Sequence, residues 1–232
     1  MNPLQSIIHA LNKAIDTREK KEWIPKIKRD LTDETYEFFK SCGEGFYNIC
    51  FESAQLDFVS KMITLVTGKY SHAVTIYYCE NIRSKVTDEE WHRLKLKYFT
   101  YYNDPNDLDA KLEKIKVLVL ASADENGMNY FDYSHYQDRK QVIMKPTLNE
   151  GQMDLVLHSY LTSETMNAVY DYTGLAFWWF NRMFDDEKAW YCSEIIFSKF
   201  IKVGIRVANS FDPSPTELVK YGEKVNTIIR KY

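Results

Sequence analysis

Between residues 71 and 145 the hydrophobic period of the chain changes from helical to alternating, and after that it changes back. Residues 71–79 (SHAVTIYYC) alternate and are rich in β-formers, which predicts a strand. Residues 116–121, 128–133 and 141–145 are three more strand-like runs, the first two separated by the turn-rich stretch 124–127. A further strand is expected at 154–158. On both sides of this block the spacing is helical. Leu4, Ile7, Ile8, Leu11, Ala14 and Ile15 make one stripe, and a short helix over 32–40 is stopped by Gly43 and Gly45. Ser53 heads another helix carrying Leu56, Val59, Met62, Ile63 and Val66. Thr87 with Glu90 is a capping-box pattern. Helical spacing returns over 162–180 and over 192–203, the latter ended by Gly204. Ser214-Pro215-Thr216-Glu217 starts a final helix, with a cap, a proline at the first helical position and an acid at the third. Helices, then strands, then helices predict an α+β fold with an antiparallel sheet.

Composition removes several function classes. Lys+Arg 30 against Asp+Glu 33 leaves a net charge of −3, which is poorly suited to coating phosphates. The 17 Tyr and 13 Phe, without a basic background, are expected in cores and cleft walls rather than stacked on bases. No stretch approaches the roughly 18–20 apolar residues of a membrane span. The first residues carry no basic leader or small-residue cleavage site, so no secretory signal is expected. Cys42, Cys50, Cys79 and Cys192 contain no CxxC spacing, so they are read as reduced thiols, with no metal and no cofactor. The expected setting is the cytoplasm, with a virion-associated protein as the alternative. The amphipathic stripe and the basic residues up to Arg29 also suit peripheral membrane contact through residues 4–29.

The chemistry concentrates on one thiol. Cys192 sits where a loop gives way to the helix CSEIIFSKF. A thiol at a helix N-terminus faces unpaired backbone N–H groups and the positive end of the dipole, which favours the thiolate. It needs a base, and five histidines are available: His9, His72, His92, His135 and His158. His72 opens the strand SHAVTIYYC, in line with Val74, Ile76 and Tyr78. There is no glycine-rich phosphate loop and no GxSxG elbow.

Four short motifs extend this reading. They are Thr67-Gly68-Lys69-Tyr70-Ser71-His72-Ala73 leading into a strand, Tyr170-Asp171-Tyr172-Thr173-Gly174-Leu175, Trp190-Tyr191-Cys192-Ser193-Glu194-Ile195-Ile196, and Ser214-Pro215-Thr216-Glu217-Leu218. In this order they resemble the circularly permuted NlpC-type cysteine hydrolases, which have a papain-like core. His72 precedes Cys192 by 120 residues, as the permuted branch requires. The resemblance covers roughly residues 46–221. It divides the chain into a helical N-terminal extension, 1–45, and a permuted papain-like domain, 46–232, with extra N-terminal helices.

The resemblance implies that Cys192 is the nucleophile and His72 the general base, with Tyr170, Tyr172 and Ser193 on the substrate side. The family's third polar residue, often a glutamate, corresponds to Ser122. The activity implied is that of a thiol hydrolase or acyl transferase acting on a peptide, amide or lipid-ester bond. The alternative is a non-catalytic binding or structural protein that retains the fold, as part of a phage or viral assembly with protein partners.

Overall fold

The computed structural model describes residues 30–52, 69–102, 107–124, 127–170, 189–190, 192–211 and 213–231, with backbone alone at 99–102, 122–124, 127, 169–170 and 189–190. The helices expected at 4–15 and after Ser53, and the basic stretch to Arg29, lie outside these residues. The chain falls into two compact units, Met1–Asp30 and Leu31–Tyr232.

In order, the second unit holds α1 (Asp33–Cys42), β1 (Gly45–Glu52), β2 (Tyr70–Tyr78), α2 (Asp88–Tyr102), α3 (Leu108–Glu113), β3 (Val117–Asp124), β4 (Gly127–Asp132), β5 (Gln141–Met144), α4 (Glu150–Tyr160), α5 (Ser163–Met166), β6 (Val169–Tyr170), β7 (Ala189–Trp190), α6 (Cys192–Ile201), α7 (Pro215–Lys224) and β8 (Ile228–Lys231). Six strands form one sheet in the order β4-β3-β2-β1-β5-β8, antiparallel at each pairing. The α+β class with an antiparallel sheet therefore holds.

Strand β1 is absent from the sequence-based expectations. Its sequence, GFYNICFE, shows no alternation because it is buried on both faces, so the period-2 signal is missing. Phe46, Asn48 and Cys50 face one layer, and Tyr47, Ile49 and Phe51 the other. On the first face lie α2, α4, α6 and α7, which contribute Trp91 and Leu94, Val156 and Tyr160, Ile195 and Phe200, and Leu218 and Val219. The second face meets α1, whose Phe39 packs edge-on against Tyr47 and Tyr133 at 5.0 and 5.4 Å. Helix α1 therefore belongs with the sheet rather than with a 1–45 extension. Its C-terminus is tied down by Lys145, whose Nζ donates to the carbonyls of Cys42 and Gly43. Gly43 takes φ 85°, a conformation that costs a residue with a Cβ.

Two other expectations change. Residues 154–158 are not a strand but part of α4, opened by a reciprocal cap between Asn149 and Gln152. Of the helix expected over 162–180, Ser163–Met166 forms α5 and Val169–Tyr170 extends as β6, and residues 171–180 lie outside the described residues. The predicted caps at Thr87 and Ser214 form, through Glu90 and Glu217.

Candidate active site

Cys192 is the first residue of α6, as expected. The helix lies on the first face of the sheet, where Cys192 shares a layer with Cys50 and Ala73. Backbone hydrogen bonds from Ala73, Ser193 and its own amide favour the thiolate, but burial outweighs them and pushes the thiol up. Only 4% of Cys192 is exposed. Cys50, fully buried, is raised well above the ordinary thiol range by burial and by the neighbouring Cys192. The Ser193 hydroxyl is buried as well. It lies near enough to the Cys192 sulfur to favour its charged form, yet makes no hydrogen bond of ordinary geometry.

His72 is on the other side of the sheet. Its Cα partner on β1 is Phe51, whose ring lies 5.9 Å from the imidazole at 19°. The Nε2 atom is 3.3 Å from the Tyr136 hydroxyl. Arg139 lies over both Phe51 and Tyr136, at 4.6 and 5.5 Å from the ring centroids. Burial, then the Arg139 charge, push His72 down to about 3. The expected contact between the Cys192 sulfur and the His72 ring is thus not made: the strand's period of 2 sends His72 and Ala73 to opposite faces, and Cys192 meets Ala73. Tyr136 and Arg139 escape a reading of the sequence. The signal available is the polar stretch 133–140, but no spacing rule links it to His72.

Ser122 lies in β3 opposite Asn129 of β4, just after Ala121, which has φ 51°. Its side chain is outside the described residues. Tyr170 lies in β6, paired in parallel with Trp190 of β7, two residues before Cys192. The backbone of Tyr170 thus pairs with the strand that precedes the cysteine helix, while Asp171 and Tyr172 lie outside the described residues. Among the described residues no group of three or more His, Cys, Asp or Glu is placed to hold a metal ion. No described helix is long and apolar enough to cross a membrane.

A second histidine is paired with a carboxylate: His158 Nδ1 is 2.8 Å from Glu90 Oε1 on the first-face side. Glu90 also accepts from the Thr87 amide and hydroxyl, so this pair ties α4 to the start of α2. No protein-family model matches the chain, and no curated protein is significantly similar to it.

Proposed function

We propose that this chain is a thiol hydrolase or acyl transferase, with Cys192 as nucleophile and with its base undocked in this structure. The observation that carries the reading is the meeting of Cys192, at the start of α6, with the amide of Ala73, the residue after His72. Two positions 120 residues apart in the chain, picked out by sequence for joint chemistry, come within one residue of contact. The ordering of motifs that resembles permuted NlpC-type hydrolases supports the same roles.

In the reaction the imidazole removes the thiol proton and Cys192 Sγ attacks a carbonyl carbon. Amides at the helix start hold the resulting oxyanion, and the proton passes to the leaving alcohol or amine. Water or another acceptor then releases the acyl group from sulfur. The substrate class is a peptide, amide or lipid ester.

A non-catalytic binding or structural protein is the second reading, and it is favoured by the position of His72 behind the sheet. An activated ester with mass detection separates the two. Under the first reading, the intact chain acquires an acyl group on Cys192, and Cys192→Ala does not. Under the second, the half-buried Cys42 is the only thiol modified, because Cys50, Cys79 and Cys192 are all closed.

A further inference from the structure

Helix α6 starts inside the core rather than at the surface. Cys192 is 4% exposed and Ser193 0%, and Ile195 and Ile196 just beyond are buried as well. The first amides of a helix have no partner within it, and a buried start gives them no water. Two of them, on Cys192 and Ser193, point to the Cys192 sulfur, as does the Ala73 amide from β2. A neutral thiol is a weak acceptor, so three N–H groups converge on an atom that serves them poorly.

The Ser193 hydroxyl is served less well still. It is buried, and among the described residues its oxygen has no hydrogen-bond partner. Buried polar groups rarely stay unpaired. At the second position of a helix no preceding turn offers a carbonyl to bond back to. Its neighbour is the Cys192 sulfur, close enough to favour the charged form. A hydroxyl hydrogen turns to suit its acceptor, and charge on the sulfur shortens and strengthens the bond offered to it. The start of α6 is thus short of acceptors with a thiol and satisfied with a thiolate. Of the titratable groups described around it, Cys50 lies opposite Ala73 on β1, Glu194 shares the first turn of α6, and His72 on β2 takes the other face. None of these is altered by a change at Ser193.

We infer that Ser193 is the side-chain donor that holds the Cys192 thiolate: its hydroxyl stands unpaired while Cys192 is a thiol and closes on the sulfur when the proton leaves. This rests on the thiol-hydrolase reading above. The Cys192 proton goes to the base and the hydroxyl keeps its own, so Ser193 lends a hydrogen bond and forms no covalent bond. When Sγ attacks the carbonyl carbon, the charge passes to the carbonyl oxygen and the hydroxyl is released again. Such a donor differs from the substrate contact that the resemblance implies for this serine.

The test is a titration of Cys192 in the intact chain, followed as thiolate absorbance in the ultraviolet with the matching Cys192→Ala chain subtracted. Ser193→Ala should raise the midpoint by about one pH unit or more, an ionisation about tenfold weaker, since a hydrogen bond to a charged group is lost. Ser193→Thr keeps the hydroxyl and should titrate with the wild type. The urea midpoint of Ser193→Ala near neutral pH should not fall, because the hydroxyl removed is unpaired in the thiol form. A merely structural hydroxyl gives the reverse, a lower urea midpoint and an unmoved titration. That result overturns the inference, and so does a Ser193→Ala chain that cannot fold or a Cys192 that stays a thiol until the chain unfolds. Should Ser193→Thr not fold, the alanine titration decides. If the midpoint is unmoved while the activated ester still acylates Cys192, Ser193 loses this role and the hydrolase reading stands. If Cys192 takes no acyl group, the hydrolase reading falls and takes the inference with it.

Discussion

His72 illustrates how much one side chain's surroundings decide. In water an imidazole titrates near 6.5, whereas here burial and Arg139 hold it to about 3. Between those two values the unfolded chain binds a proton that the folded chain does not, so stability rises with pH through that window. It is fully present above the unfolded value and is lost as the solution is acidified. The slope contributed is at most about 1.4 kcal/mol per pH unit. Urea unfolding at about pH 7 and about pH 5 should show a loss of stability that His72→Gln largely removes, because glutamine does not titrate. His135, pushed down to about 4 by burial, adds a slope of the same sign and is the reason some loss remains. Cys192 was legible at this scale, since a loop-to-helix boundary can be read locally. The side of the sheet taken by His72 was not, because it depends on the register in which β2 pairs with β1, which sets Ala73 opposite Cys50 and His72 opposite Phe51.

Among the elements, the helices were the most legible because their start signals are chemical and local. Ser214 accepts from the Glu217 amide while the Glu217 carboxylate accepts from the Ser214 amide, satisfying two donors that α7 would otherwise leave open. Ser214→Ala should cost about 1 kcal/mol, read as a lower urea midpoint with an unchanged slope. The same pattern escapes notice at Asn149 and Gln152 because the apolar run VLH within α4 imitates a short strand. At its far end α7 comes close to β5: a Cβ built on Gly222 would lie 2.7 Å from the Met144 sulfur and 3.2 Å from the Thr227 hydroxyl. A side chain there would force the Met144 side chain to move, so glycine lets α7 and β5 approach closely. Strand β8 gives no clear signal in the sequence either. It pairs with β5 and carries Arg230 and Lys231, charges that suit an edge strand.

Among the described residues of the second unit, β1 joins two cores that share no side chain. Ile49 is fully buried on the second face, while its neighbours Asn48 and Cys50 belong to the first. Ile49→Ala should cost about 2–5 kcal/mol, as buried truncations do. Because the strand is common to both layers, hydrogen exchange should quicken in β2 and β5 together rather than in α1 alone. Period, capping and turn chemistry within a dozen residues were enough to establish the α+β class and the helix starts at Thr87, Ser214 and Cys192. They were also enough for the four strands of the 71–145 block and for the placing of a thiol at a helix start. No local signal says that β1 is central, that α1 seals the second face, or that Ala73 rather than His72 meets Cys192. Those outcomes come from the pairing of strands distant in sequence. A one-residue slip in the register of such a ladder reverses the side that every side chain of the strand faces.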